Sequence, residues 1–108
     1  MKDIAPFLAG LKARLNEYKT RMGFTYFQGY DVRVETGRRY HKVYSVEIPD
    51  GTGDNHRSNV VAFIDKETGG IYKPATFMSP AKHVRGYVDS PEHGMEAIGP
   101  DGFVYYLR

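Results

Sequence analysis

Arg33, Arg38, Arg39, His41 and Lys42 fall within ten residues, with Tyr30, Tyr40 and Tyr44 set among them. Guanidinium and ammonium groups hold phosphate oxygens, and tyrosine rings offer flat faces on which bases stack. This mixture of residue types is the chemistry of a nucleic-acid grip. A second basic group, Lys73, Lys82, His83 and Arg85, lies farther along the chain. Ser79-Pro80 ahead of Lys82 reads as a helix start, with Ser as N-cap and Pro at the first helical position. Such a turn aims free N–H groups at an anion and sets Lys82 and Arg85, three residues apart, side by side. The candidate binding residues are therefore Arg33, Arg38, Arg39, Tyr40, His41, Lys42, Lys73, Lys82, His83 and Arg85.

Two other functions use the same residues. Tyr and Arg are enriched at the energetic centres of protein interfaces, so a protein-binding inhibitor or adaptor acting on a host enzyme is the alternative. The third reading is a metal-independent RNase, in which a base takes the 2′-hydroxyl proton and a cation steadies the phosphorane. His41, Lys73, His83, Arg85 and several tyrosines supply those types. Other chemistry finds no foothold. The chain has no Cys, which excludes a disulfide scaffold, a thiolate metal site and a Cys nucleophile. His41, His56, His83 and His93 lack metal-ligand spacing. Asp50-Gly51-Thr52-Gly53-Asp54-Asn55 has no closing Glu at the calcium-loop position and reads as a flexible loop. No serine stands in a nucleophile elbow, and no cofactor is implied.

Composition hides the charge. Eight basic and three acidic residues between Lys12 and Lys42 give a local +5, and the remaining seven basic and ten acidic give −3, which together make the net +2. At 108 residues, 41% of them hydrophobic, the chain is expected to form a single domain over residues 1–108 with one core. No apolar run reaches the roughly 20 residues of a membrane span, and the N-terminus does not read as a secretory signal. A cytoplasmic setting is expected, with no membrane partner.

The elements that must position these groups follow from periodicity. Ile4, Phe7, Leu8, Leu11, Leu15, Tyr18 and Met22 recur every three or four residues, which predicts an amphipathic helix over 3–22. Asp3 is its expected N-cap, Gly23 its stop, and Gly10 a place of bending or close packing. Residues 30–36 and 38–48 predict two strands around a tight connection at Gly37. In the second strand Tyr40, Lys42, Tyr44, Val46 and Ile48 share one face, and His41, Val43, Ser45 and Glu47 the other. Residues 59–65 and 70–73 predict a further hairpin through Lys66-Glu67-Thr68-Gly69. A short helix is expected from Pro80, a turn of helix within 91–97, and a last strand over 103–107. The fold class is α+β: one N-terminal amphipathic helix packed on a mostly antiparallel sheet of about five strands, with a short second helix. Phe7, Phe63 and Phe103 are expected in the core.

The stretch Ala62-Phe63-Ile64-Asp65-Lys66-Glu67-Thr68-Gly69-Gly70-Ile71-Tyr72-Lys73-Pro74-Ala75, followed by Pro80-Ala81-Lys82-His83-Val84-Arg85-Gly86, resembles a pattern in small uncharacterised proteins of tailed bacteriophages. There an Asp-Lys-x-Thr-Gly turn and a Tyr-Lys-Pro/Ala return precede a Pro-Ala-Lys-x-x-Arg-Gly segment. Phe77-Met78 stands where such proteins often carry Trp-Lys. The resemblance implies a phage or prophage origin, hence the cytoplasm of a host cell, and brings no catalytic residues. The function expected is a small non-enzymatic phage-type protein that binds nucleic acid, DNA or RNA, through a Tyr/Arg-rich hairpin and a basic helix turn. A homodimer through an exposed strand edge is compatible with this.

Overall fold

The computed structural model of the protein describes residues 2–49 and 58–104. Helix α1 (Ala5–Met22) comes first, followed by β1 (Phe27–Thr36), β2 (Tyr40–Pro49), β3 (Ser58–Asp65), β4 (Gly70–Pro74) and β5 (Pro80–Tyr87), and then a 3-10 turn at Met95–Ala97. The five strands form one antiparallel sheet in sequential order, β1-β2-β3-β4-β5. The α+β class and the five-strand count stand as the sequence predicts.

Helix α1 lies on one face of the sheet because its buried side chains, Phe7, Leu11 and Leu15, recur at four-residue spacing. They meet Val43 of β2, Ala62 and Ile64 of β3, and Ile71 of β4 in one core, which Val88, Ala97, Ile98 and Val104 complete from the C-terminal segment. Each of the larger of these side chains, the Phe, Leu, Ile and Val, stabilises the fold by about 1.5–3 kcal/mol through burial. Gly10 is a point of close packing, since a Cβ there would stand 2.9 Å from the Met95 sulfur. The N-cap position is Ile4 and not Asp3, although the Asp3 carboxylate accepts the Ala5 N–H at 3.0 Å. Gly23 ends the helix in a left-handed conformation, and Met22, its last residue, is exposed. Phe103, expected in the core, is also exposed, while Val104 beside it is buried and bridges Ile98.

The short helix expected from Pro80 is strand β5. Ser79 does not cap a helix: its carbonyl accepts the Ala75 and Thr76 N–H groups, closing a hairpin. The Thr76 hydroxyl accepts the Met78 and Ser79 N–H groups and fixes the tip. Pairing with β4 then outweighs the local Ser-Pro signal, with Tyr72 opposite Val84 and Ile71 opposite Gly86. Among the described residues, helical structure after the sheet is confined to the 3-10 turn at Met95–Ala97. Of the loop expected over 49–58, Pro49 ends β2 and Ser58 begins β3, while 50–57, like the strand residues expected after Val104, lie outside the described residues.

The outer edge of β1 is partly closed by side chains. Asn16 of α1 accepts the Tyr30 N–H at 2.9 Å and donates to the Tyr30 carbonyl at 3.1 Å, as a neighbouring strand would. Asp31 accepts the Val32 N–H at 2.9 Å. A polar blockade of this kind discourages edge-to-edge pairing. Asn16→Ala should cost about 1–2 kcal/mol in urea unfolding, because both backbone groups of Tyr30 lose their partner. Light scattering should also show greater self-association, since the edge is opened.

Candidate functional site

Residues directly opposite each other in the ladder share a face, so the register sorts every candidate. His41, Val43 and Ser45 pair with Ile64, Ala62 and Asn59 and point to the helix side. Tyr40, Lys42 and Tyr44 point to the other side, which the helix leaves open. Glu35 and Arg33 join them from β1, opposite Lys42 and Tyr44. Phe63 of β3 pairs with both Lys42 and Tyr72, and Val84 of β5 pairs with Tyr72, so all belong to the same open face.

This face is aromatic in its middle. Tyr40 meets Phe63 and Tyr72 edge-on, at centroid distances of 6.1 and 5.9 Å. Burial raises the Tyr72 hydroxyl above its ordinary pKa, with the neighbouring Tyr40 and Asp65 adding to it. The β4–β5 hairpin brings its tip back over the sheet as far as β2. There the Lys42 ammonium stands 3.6 Å from the centre of the Phe77 ring, a close cation–π contact. Lys42 also faces the Glu35 carboxylate at 3.9 Å, and its side chain is only 14% exposed. Phe77 and Met78 remain 61% and 76% exposed, which is unusual for large apolar residues ordered by their own turn. A groove of about 320 Å³ opens beside the tip, lined by Glu35, Arg38, Arg39, Tyr40, Lys42, Phe63 and Met78.

The β1–β2 turn forms the cationic rim. Its backbone is tied to the β3–β4 turn: the Lys66 N–H donates to the Arg39 carbonyl, and the Lys66 ammonium donates to the Gly37 carbonyl at 3.1 Å. Asp65 organises the second turn by accepting the Glu67 and Thr68 N–H groups, with Gly69 supplying the left-handed residue that ends it. Those N–H donors, Thr68 foremost and then Glu67, hold the Asp65 carboxyl below the usual range, and Arg39 at 3.4 Å adds to it. The Arg39 guanidinium lies 5.0 Å from the Tyr40 ring centre and is well exposed. A second hollow of about 560 Å³ runs from Arg38 and Arg39 past Asp65 to Lys66 and Thr68.

The predicted site residues therefore divide. Arg33, Arg38, Arg39, Tyr40 and Lys42 come together on the open face and its rim, with Arg33 leaning on Asp31 at 3.5 Å. His41 does not join them. Its ring is buried on the helix side, with Nδ1 2.9 Å from the Thr36 hydroxyl and Nε2 without a hydrogen-bond partner. Lys73 is also turned away, donating to the Val104 carbonyl at 3.2 Å. Lys82, His83 and Arg85 lie on edge strand β5, with Lys82 and His83 exposed and Arg85 donating to the His83 carbonyl. Three strand spacings, about 14 Å, separate β5 from β2. Arg85 and Lys82 are not helical neighbours, because the segment is extended. Glu35, Phe63, Tyr72, Phe77 and Met78 complete the site without having been singled out as binding residues. A pair of large apolar residues in a Thr-x-x-Ser turn was the signal available for the last two.

Among the described residues no three His, Cys, Asp or Glu side chains gather to hold a metal ion, and no helix is long and apolar enough to cross a membrane. Structurally, the protein is a helix-backed antiparallel sheet with an open aromatic face and a basic rim. Residues 6–106 match the family described as a family of unknown function, DUF7717, and the chain belongs to it. No curated protein and no solved structure matches it significantly.

Burial of His41 gives a pH signature. Burial first, and the Lys66 charge second, hold its pKa below the ordinary value of about 6.5. The unfolded chain then binds more protons than the folded one in mildly acidic solution. Stability is complete above the unfolded pKa and falls as pH drops toward the folded value. Asp31, Asp65 and Asp89 all have lowered carboxyl pKa values, so their contribution is lost only below the ordinary carboxylate range. Urea midpoints should accordingly decline from pH 7 to 5, and His41→Leu should flatten that slope while leaving the steeper loss below pH 4.

Proposed function

We propose that the protein binds single-stranded nucleic acid on the open face of its sheet and does no chemistry on it. The observation that carries this reading is the arrangement of Tyr40, Tyr72 and Phe77 on one face, with Arg38, Arg39 and Arg33 at its border. Rings on a sheet accept unpaired bases by stacking, at about 1–3 kcal/mol per base, whatever the sequence. Cations at the border meet the phosphates, which a duplex presents too but whose bases a flat face cannot reach. Lys82 and His83, exposed on β5, stand three strands from Lys42 and point to opposite faces, so they are not counted in this grip. A non-enzymatic role is supported by the scatter of His41, Lys73, His83 and Arg85 over three strands, with His41 in the core. A cytoplasmic site of action and the phage origin implied by the sequence pattern belong to the same reading.

One observation favours a protein partner instead: the exposed Phe77 and Met78 at the hairpin tip. Fluorescence anisotropy with labelled mixed-sequence octanucleotides, DNA and RNA, separates the two. Micromolar binding is expected at low salt. Affinity should fall with a log–log salt slope of about −3 if four phosphates are contacted. Arg38→Ala combined with Arg39→Ala should weaken binding about tenfold and make the slope shallower by about 1.4. Tyr72→Leu should weaken it by about 5- to 100-fold with the slope unchanged. Absence of binding to any octamer at low salt and tens of micromolar protein would overturn the reading and leave the protein partner in its place.

A further inference from the structure

The groove beside the hairpin tip has more chemistry than a stacking surface needs. Its volume, about 320 Å³, is at the lower bound of small-molecule pockets, and its walls are mixed. Tyr40, Phe63 and Met78 supply flat or soft apolar surface. Glu35 and Lys42, directly opposite in the β1–β2 ladder, supply an acceptor and a donor side by side. Their charged atoms are 3.9 Å apart, too far for a hydrogen bond between them, so each keeps hydrogen-bonding capacity for a third group. The Phe77 ring covers one side of the ammonium and directs its remaining N–H groups away from itself. Lys42 is held at the end of a mostly buried side chain, while the Glu35 carboxylate is exposed and free to turn toward a third group.

Building on the single-strand reading, we propose that this groove takes one guanine base, with Glu35 and Lys42 reading its Watson–Crick edge. Guanine presents O6 as an acceptor and, next to it, N1–H and N2–H as two parallel donors. A carboxylate accepts two parallel donors in a bidentate pair, and an ammonium beside it donates to O6. Adenine and cytosine offer the carboxylate one donor with a ring-nitrogen acceptor beside it. Uracil and thymine offer a single N–H between two carbonyl oxygens, whose lone pairs meet the carboxylate with repulsion. The order expected is guanine first, then adenine and cytosine, with uracil last. The rim arginines, Arg38 and Arg39, stand at the mouth of the groove, where the phosphates flanking an inserted base would pass.

The test uses the full chain and labelled RNA octamers of uridine that carry guanine, adenine, cytosine or inosine at one central position. The guanine octamer should bind about 5- to 100-fold more tightly than octauridylate, the range of a good bidentate contact. Inosine, which lacks the 2-amino group, should fall between them. Glu35→Gln should collapse the guanine-to-uridine ratio toward one; the position is an exposed strand site, and circular dichroism confirms that the variant folds. Lys42→Met should reduce the same ratio less. Equal affinity for the guanine and uridine octamers, or a ratio unchanged in Glu35→Gln, overturns the guanine assignment while leaving single-strand binding standing. Failure of every octamer to bind overturns both. GMP that competes as strongly as the guanine octamer would assign the groove to a free nucleotide, and so overturn the strand-bound form of the proposal.

Discussion

One helix can cover only one face of this sheet, and everything else about the protein follows from that imbalance. Five strands at about 4.8 Å spacing make a surface some 19 Å across, whereas a helix with its side chains is about 10 Å wide. Phe7, Leu11 and Leu15 therefore cover the middle strands, and the segment carrying Val88, Ala97, Ile98 and Val104 completes the cover on that side. Among the described residues no second α-helix is left for the opposite face. Its central side chains must tolerate water or cover one another, and they do the latter. Phe63 is buried beneath Tyr40 and Tyr72, while the β4–β5 hairpin folds Phe77 and Met78 partly across the gap. The open aromatic face is thus the residue of an incomplete core.

The two faces of β2 show what a sequence discloses and what it does not. Alternation correctly separated Tyr40, Lys42 and Tyr44 from His41, Val43 and Ser45. It could not say which set the helix covers, since each contains polar and apolar members. The helix covers the set with Val43, which shares one core with Ala62, Leu11 and Leu15, with Val34 packed against it. His41 followed its strand into the core, with the Thr36 hydroxyl for one ring nitrogen and none for the other. A histidine grouped by sequence with Arg33, Arg38, Arg39 and Lys42 is thereby a core residue, on the opposite side of the sheet from Lys42.

The segment after Ser79 was misread for a different reason. Ser-Pro is a strong local signal for a helix start, and Ala81-Lys82-His83-Val84-Arg85 does nothing to oppose it. The deciding contacts are distant in kind: β4 needed a partner on its outer side, and Thr76 closed a turn tight enough to bring β5 alongside. Local propensity is worth tenths of a kcal/mol per residue, and a ladder on an otherwise bare strand edge outweighs it. The first long helix and the β1–β2 and β3–β4 hairpins were legible because periodicity, turn residues and termini agreed. The groove was not, because it is assembled from β1, β2, β3 and a turn that crosses over from β4.

The tie between the two turns bears on how any ligand would be met. Lys66 holds the carbonyls of Gly37 and Arg39 from two sides, so the backbone under Arg38 and Arg39 is already ordered in the free protein. On the proposed reading, what an incoming polyanion would still have to immobilise is the outer half of two side chains. The entropy of arranging the loop itself has been surrendered during folding, at the same moment as the entropy of the sheet. The rim is therefore preorganised by a lysine that would itself need never touch a ligand bound there.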